Sequence, residues 1–331
     1  MFTDILAATD LVRVSDNGVV AAAKLAENFH AKLHILHVLE SSEARNRRKV
    51  RHFVTGEEII TSDAYEKQVA DEIHAVYSPI VHSSVDGDIR VVAGFPWEEI
   101  LRWSRRLKPG LIVMGPHSGR AAEKGVIRVA GKIGSTVEGV VTRENCPVMI
   151  INPAVQVKTA GFKRIIVGVD FSVSCECALA FAGQLAEKSD GRLFPFHMIP
   201  VPPYPKYSRE NYETDLAAAK QRLTDFCGPF LGDLPHEYIV WGGALPHLEI
   251  LSCAEKNQAD LIVMGSHTKE TQGKWYSGSV VERTGFRAAC PVVVVTDPNA
   301  LVPWDGDGLP DSAIGREKDR MIHVFTKDRR S

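Results

Sequence analysis

Short apolar runs alternate along the chain with longer stretches in which apolar residues recur at helical spacing. The runs Leu111–Met114 and Ile165–Val169 are apolar at nearly every position, which is typical of strands buried on both faces of a parallel sheet. Residues 62–77 place Ala64, Val69, Ile73 and Val76 on one side and predict a helix. Because strands and helices alternate, the pattern predicts an α/β fold with helices on both faces of a parallel sheet.

The predicted elements form two similar series. The first series has strands at Ile5–Thr9, Lys32–Leu39, Ile89–Val92, Leu111–Gly115 and Pro147–Ile151, with helices at Val19–Phe29, 62–77, 96–105 and 135–143. The second has strands near 164–169, 192–198, 237–241, 261–265 and 292–296, with helices between them.

The two series are copies of one domain. Leu-Ile-Val-Met-Gly occurs at 111–115 and again at 261–265, and Gly-Ser at 134–135 returns at 278–279. This period is far too long for a solenoid, so each copy should be a whole domain. We predict one domain over 1–152, a linker over 153–161, a second domain over 162–297 and a polar tail over 298–331.

The distance between equivalent residues shrinks along the chain. Asp170 follows Asp10 by 160 residues, whereas the two Leu-Ile-Val-Met-Gly runs lie 150 apart and the two Gly-Ser pairs 144 apart. The first copy therefore carries about ten extra residues before its Leu-Ile-Val-Met-Gly and six just after it. Loops accept insertions more readily than packed elements do, so both places should be loops.

Composition excludes several classes of protein. The 39 basic and 41 acidic residues leave a net charge of −2, so no global field attracts nucleic acid or membrane. No apolar stretch approaches the ~20 residues needed to span a bilayer. The N-terminus leads directly into a strand without the pattern of a signal peptide, and the six cysteines form no Cys-x-x-Cys pair. We therefore expect a cytoplasmic protein with reduced thiols.

Candidate binding residues cluster where the predicted strands end. Open parallel sheets bind ligands at the carboxyl ends of their strands, where Asp10 and Asp170 follow the first strand and Gly115 and Gly265 the fourth. In the second copy Gly-Ser opens a helix at 278–279, and its N–H groups and hydroxyl suit a phosphate. The alternative is that these glycines merely end a strand and cap a helix.

These motifs resemble the universal stress protein family. They are Asp-Phe-Ser at 170–172, Val-Met-Gly-Ser-His at 263–267 and Gly-Ser at 278–279. The resemblance covers about 1–152 and 162–297 and implies a tandem member, with a five-stranded parallel sheet of order 3-2-1-4-5 in each domain. Single-domain members of this family dimerise through the fifth strand, and some members bind ATP while others do not.

The resemblance implies two sets of nucleotide-binding residues. In the second copy these are Asp170, Met198, Gly265, His267, Thr268, Gly278, Ser279 and Val280, and in the first Asp10, Val38, Gly115, Gly134, Ser135 and Thr136. Both copies depart from the family motif, because Thr268 and Ser118 stand where it has its second glycine. The first copy also has fifteen residues, not nine, before Gly134. Within them Gly119 could restore a close approach, and four cations could meet phosphates by charge: Arg120, Lys124, Arg128 and Lys132. The favoured interpretation of these cations is a solvated loop.

Three further patterns favour structural explanations. His117 and His267 lie at equivalent places beside the predicted crevices and are expected to pack in loops. Histidines 34 and 37 have odd spacing on one strand and point to opposite faces, so no metal site is expected with His30. The basic run at 45–51 contains no aromatic residue and is expected to be a solvated loop rather than a nucleic-acid or lipid contact.

Together these observations predict a ligand-responsive binding module of the stress response. We expect ATP or another adenine nucleotide in at least one crevice, with no metal beyond nucleotide-associated Mg²⁺ and at most a slow ATPase or self-phosphorylating activity. The alternative is a nucleotide-free interaction scaffold with degenerate pockets. The fifth strands, Pro147–Ile151 and Pro291–Val295, are expected to pair as an intramolecular pseudo-dimer. The chain could also form a homodimer, and the sequence does not identify other protein partners. Neither nucleic acid nor membrane is expected as a partner.

Overall fold

The computed structural model describes most of both halves of the chain. The described residues are 1–11, 13–41, 48–52, 55–79, 81, 85–116, 133–153, 155, 161–201, 208–266, 269–271, 274–276, 279–301, 304 and 323–325. For residues 13–16, 269–271, 274–276, 279, 300 and 323–325 the description covers the backbone.

The first half alternates strands and helices as the apolar pattern predicts. Its elements are β1 (Asp4–Thr9), α1 (Arg13–Phe29), β2 (Lys32–Glu40), β3 (Lys49–Arg51), β4 (Glu58–Ile60), α2 (Asp63–Tyr77), β5 (Gly87–Gly94), α3 (Pro96–Leu107), β6 (Leu111–Met114), α4 (Ser135–Val141) and β7 (Val148–Ile150). Pro96 occupies the first turn of α3, where its missing N–H leaves no bond unmade.

The second half repeats this order. Its elements are β8 (Arg164–Gly168), α5 (Val173–Ser189), β9 (Arg192–Pro200), α6 (Arg209–Leu231), β10 (Ile239–Gly243), α7 (Pro246–Lys256), β11 (Leu261–Ser266), β12 (Lys269–Thr271), β13 (Lys274–Tyr276), α8 (Ser279–Arg287) and β14 (Val292–Thr296). A short 3-10 helix follows at Pro298–Ala300, and β15 (His323–Phe325) lies near the end of the chain.

The predicted strand order is confirmed in both halves, and the two sheets join into one. The strand order is β10-β9-β8-β11-β14-β7-β6-β1-β2-β5-β15. The third predicted strand of each half is β10 or β5, and from that strand toward the centre of the sheet the order is 3-2-1-4-5. Within each half the five strands are parallel. At the centre β7 pairs antiparallel with β14, and Met149 lies opposite Val293. We call this pairing the seam.

Helices cover both faces of the sheet, and each face has its own core. Buried side chains of α1, α2, α5 and α6 pack on one face, among them Val19, Ile73 and Leu185. Those of α3, α4, α7 and α8 pack on the other, among them Ile100 and Val281. Because β7 and β14 contribute to both cores, the apolar interior is continuous across the seam.

The observed elements depart from the predicted ones in several places. Helix α1 begins at Arg13, whereas the predicted helix began at Val19. The prediction missed the first turns because they are polar and lack the apolar spacing of a helix. Helix α4 ends at Val141 rather than 143. The basic run at 45–51 was expected to be a solvated loop, but its last three residues form β3, and Val50 within it is fully buried. Among the described residues, no helix is both long and apolar enough to cross a bilayer.

Candidate functional site

Each half has a candidate binding crevice where its first and fourth strands end side by side. In the second half β8 and β11 are neighbours, with Gly168 opposite Met264. In the first half β1 and β6 are neighbours, with Ala7 opposite Val113. Asp170 and Gly265 therefore reach the same edge of the sheet, as do their first-half equivalents. The chain winds in opposite directions from these two strands, which is where open parallel sheets hold ligands.

The loop after β8 holds the Asp170 carboxylate in place. Its Oδ1 accepts a hydrogen bond from the backbone N–H of Ser172 at 3.0 Å and another from the Cys175 thiol at 2.9 Å. Phe171, between them, has a left-handed backbone with φ 64°. Leu11 in the first half has the matching φ of 61°, although its N–H is bound by the Thr9 hydroxyl. In both copies the residue that follows the aspartate therefore has a left-handed backbone.

Burial sets the chemistry of the Cys175 thiol. It raises the pKa of Cys175 to about 12, and the nearby charge of Asp170 raises it further. The thiol therefore stays protonated at neutral pH and serves as a donor to the carboxylate. This fixed donor orients Asp170, which is itself exposed at the crevice.

A histidine lies behind the end of the first strand in both halves. His197 Nδ1 is 2.8 Å from the carbonyl oxygen of Val169, and His37 Nδ1 is 2.9 Å from that of Thr9. Burial lowers the pKa of His197, and the charge of Arg222 lowers it further. The prediction from sequence missed this pair, although His197 follows His37 by the same 160 residues that separate the two aspartates.

Gly265 allows a strand and a helix to approach closely. A Cβ atom built on Gly265 would lie 2.5 Å from the carbonyl carbon of Ser174 and 2.7 Å from the backbone nitrogen of Cys175. In the first half Gly18 of α1 faces Gly115, with a built Cβ 3.7 Å from the Gly115 nitrogen. Packing alone therefore accounts for the glycine at 265, whether or not a ligand also uses it.

The helix that follows the fourth strand starts close to the crevice in the first half. The backbone N–H of Gly134 donates to the carbonyl oxygen of Pro116 at 2.7 Å. The extra residues of the first copy therefore do not displace Gly134 from the strand end. In the second half β12 and β13 form an antiparallel hairpin, with Lys269 opposite Tyr276. An antiparallel hairpin brings its two ends close together. The β12–β13 hairpin therefore allows Ser279 to approach the end of β11.

The other candidate residues divide by position. Half-buried side chains are found at Val38 on β2, Met198 on β9, Thr136 on α4, Val280 on α8 and Asp10 after β1. Ser135, the first residue of α4, is exposed. Ten candidates lie outside the described residues: His117, Ser118, Gly119, Arg120, Lys124, Arg128, Lys132, His267, Thr268 and Gly278.

The three clustered histidines of the first half have separate environments. His30 is exposed at the end of α1, and His37 faces the carbonyl of Thr9. His34 is buried between two carboxylates, with Nδ1 3.0 Å from Asp88 and Nε2 2.9 Å from Asp4. Within the described part of the chain, no group of three or more histidines, cysteines or carboxylates has the geometry to hold a metal ion.

Comparisons with known proteins agree with the fold and the motifs. The model of the universal stress protein family matches residues 1–152 and 161–296. This chain therefore belongs to the universal stress protein family and carries two copies of its domain.

Individual relatives match one copy or the whole chain. Universal stress protein MJ0531 of Methanocaldococcus jannaschii is 30% identical over 150 residues, which cover 41% of this chain and 84% of that protein. A universal stress protein of Thermus aquaticus is 30% identical over 137 residues, covering 40% of this chain and 98% of its own. A universal stress protein of Archaeoglobus fulgidus has a similar crystal structure, with TM-score 0.61 and 21% identity over 89% of this chain and 98% of that one. This last likeness supports the fold.

Proposed function

We propose that this protein is a ligand-responsive binding module of the stress response that takes an adenine nucleotide, with ATP the first candidate, in its second-half crevice. The observation that carries the proposal is the adjacency of β8 and β11, which sets the exposed carboxylate of Asp170 beside Gly265 at one edge of the sheet. A carboxylate there accepts hydrogen bonds from ribose hydroxyls, while a helix N-terminus attracts phosphate.

The second half is favoured over the first by its loop. Nine residues separate Thr268 from Gly278, as in nucleotide-binding members of the family, and the β12–β13 hairpin lies within them. Ser279 opens α8, so its N–H and hydroxyl are the expected phosphate donors. Mg²⁺ would arrive with the nucleotide, and the proposal assigns no catalytic step to the protein.

The second candidate is a nucleotide-free scaffold. It is favoured by the close approach of Gly265 to Ser174 and Cys175, which explains that glycine without a ligand. Thr268 and Ser118, in place of the second glycine of the motif, favour it as well. Either function would be exercised in the cytoplasm, in keeping with six cysteines that are all free thiols.

Calorimetric titration of the full chain with Mg-ATP tests the proposal. We expect one site per chain, lost in Gly278→Val and kept in Gly134→Val. Asp170→Asn should weaken binding by roughly tenfold, because a charged acceptor is replaced by a neutral amide. Asp10→Asn is the equivalent change in the first half, and a larger loss there would reverse the ranking of the two crevices.

The scaffold makes the opposite prediction. It requires that no adenine nucleotide be released from the purified protein on denaturation and that titration give no saturable heat. Mass spectrometry of the released small molecules therefore separates the two candidates independently of the variants.

A further inference from the structure

A tryptophan from the C-terminal extension lies against a helix of the first half. Trp304 comes after the family match, which ends at 296. Its ring centre is 6.0 Å from that of Trp97, in an edge-to-face arrangement with 61° between the planes. The guanidinium carbon of Arg105 lies 4.6 Å from the Trp304 ring centre, and Arg105 Nη2 donates to the Trp304 carbonyl oxygen at 3.1 Å. Both partners belong to α3.

Helix α4 completes the place where this tryptophan lies. A Cβ atom built on Gly139 would lie 2.8 Å from Cγ of Trp97, so only a glycine there leaves room for the indole. The guanidinium carbon of Arg143 is 4.7 Å from the Trp97 ring centre, and its Nη1 donates to the Gly139 carbonyl at 3.2 Å. We call Trp97, Arg105, Gly139 and Arg143 the aromatic socket.

The second copy of the domain acts as an internal comparison. The residues equivalent to the socket in sequence are His247, Glu255, Arg283 and Arg287, and only the last keeps the chemical type. Burial lowers the pKa of His247, and the charges of Arg283 and Arg287 lower it further. The same fold is thus built without a tryptophan at this place and without a glycine beneath it. The fold does not require the socket, and the half that has it is the one that the extension touches.

The segment also crosses between the halves. It leaves the end of β14 in the second half and reaches α3 in the first, so its docking adds a contact to those of the seam. Tryptophan is suited to such an anchor because it offers a large apolar face with few rotatable bonds. Arginine adds attraction to the ring face and a donor for the backbone carbonyl.

We propose that the aromatic socket is a binding site for the chain's own C-terminal extension, with Trp304 as its anchor, and that this latch opens and closes. Trp304 is the residue of the extension that occupies the socket, whereas β15 pairs with β5 farther along the chain. Release of Trp304 therefore exposes Trp97 without requiring that β15 leave the sheet. The proposal is independent of nucleotide binding and survives if both crevices prove to be empty.

A peptide supplied in trans tests the socket directly. The probe is a fluorescein-labelled peptide of residues 297–306, titrated against full-length Trp304→Ala and followed by fluorescence anisotropy. We expect saturable binding to this variant and at least tenfold weaker binding to the wild type, since the tethered segment competes at an effective concentration of about 1 mM. The same peptide with alanine for Trp304 should not bind.

Receptor variants locate the site. Adding Arg105→Ala to Trp304→Ala removes an exposed side chain without touching the core and should weaken peptide binding at least fivefold. Adding His247→Ala, the equivalent of position 97 in the second half, should leave it unchanged. Equal binding to the Arg105 variant, or no saturable binding up to about 1 mM peptide, overturns the proposal.

Sedimentation of the wild type identifies the occupant. Docking within one chain predicts the same molar mass for the wild type and Trp304→Ala at every concentration. A dimer that Trp304→Ala converts to monomer would instead mean that the socket holds the extension of a second copy, and the intramolecular latch would be wrong.

Discussion

Asn152 and Thr296 occupy equivalent positions in the two halves, and each donates a hydrogen bond across the seam to a backbone carbonyl of the other half. Asn152 follows β7 and donates its Nδ2 to the carbonyl oxygens of Gly285 at 3.1 Å and Ala288 at 2.8 Å. Thr296 ends β14 and donates its Oγ1 to the carbonyl oxygen of Val141 at 3.0 Å. Thr296 follows Asn152 by 144 residues, and Gly285 follows Val141 by the same number. The halves are therefore related at the seam by a local twofold axis.

Removing these donors should destabilise the protein unequally. Asn152 is 8% exposed and Thr296 4% exposed, so the carbonyls they leave would be shielded from water. Asn152→Ala strands two carbonyls and should lower the free energy of unfolding by about 2–3 kcal/mol, against about 1 kcal/mol for Thr296→Val. Urea unfolding followed by circular dichroism measures both.

Asn257→Ala is the control for these variants. Its side chain also donates to a backbone carbonyl, that of Cys253 at 2.9 Å, but Asn257 caps the C-terminus of α7, away from the seam. It should cost less than either seam variant. If Asn257→Ala lowers the free energy of unfolding more than Asn152→Ala does, the hydrogen bonds across the seam are not the larger contribution to stability.

A charge at the centre of the seam should separate or precipitate the halves. Val293 lies opposite Met149 and is fully buried. Val293→Lys places an unpaired ammonium between the two cores, which costs several kcal/mol and exposes two strand edges. Small-angle scattering should report an expanded or aggregated particle.

Ile60→Lys is the matched control, because Ile60 is 64% exposed on β4. It should leave the scattering curve unchanged. If Val293→Lys also stays compact and soluble, the seam does not hold the two halves together.

The fold followed from the sequence because its signals are repeated. Leu-Ile-Val-Met-Gly at two places identified the fourth strands, and the duplication supported each weak element with its copy. Elements without a copy were missed. Within the described part of the second half no strand corresponds to β3, and Trp304 follows Leu301-Val302-Pro303 in a segment without the periodicity of a helix or strand.

The site was harder to predict because its close approaches join residues that are far apart in sequence. Gly265 could be recognised as a motif residue, but its contact with Ser174 depends on how α5 crosses the end of β11. The contact of Gly139 with Trp97 depends in the same way on how α3 packs against α4. Local sequence contains neither relationship.

Acid stability should depend on the carboxylate of Asp88. Burial raises the pKa of Asp88, but the hydrogen bonds and charges of His34 and Arg90 outweigh it, and the pKa lies below its ordinary value. A lowered carboxylate pKa stabilises the protein above the unfolded pKa of about 3.9, and this stabilisation is lost as the pH falls through the folded value. His34→Phe removes a partner and leaves burial, so acid unfolding should shift to higher pH.

The second half shows that phenylalanine fits this place. Phe194 occupies the position equivalent to His34, with the guanidinium carbons of Arg164 and Arg192 at 5.1 and 5.4 Å from its ring centre. Asp88→Asn is the second test, since it removes the titrating group and should flatten the pH dependence of stability below about pH 4. An unchanged acid midpoint in His34→Phe would show that the remaining cations, Arg90 at 3.1 Å and Lys32 at 3.6 Å from the Asp88 oxygens, maintain the carboxylate.

Native cysteines should resist alkylation except at one position. Burial raises the pKa of Cys175, Cys227, Cys253 and Cys290 to about 12 each, so little thiolate exists at pH 8. Cys146 and Cys177 are both half-buried, but burial and the charge of Glu144 raise the pKa of Cys146 strongly, whereas the pKa of Cys177 is raised less. We therefore expect iodoacetamide to label Cys177 first. Mass spectrometry of the native and urea-unfolded protein measures the order. Rapid native labelling of Cys175 would show that its bond to Asp170 opens readily.

Replacing Thr268 should reveal what the second-half loop can bind. Thr268 lies outside the described residues, and the expectation rests on the motif, which has a glycine there. A β-branched residue resists a left-handed backbone, and strain of this kind costs about 1–3 kcal/mol, or roughly ten- to a hundredfold in affinity. Thr268→Gly should therefore strengthen ATP binding by about that factor, with Ser118→Gly as the equivalent change in the first half. If the wild type already binds ATP tightly and Thr268→Gly leaves the calorimetric affinity unchanged, the loop accepts threonine without strain.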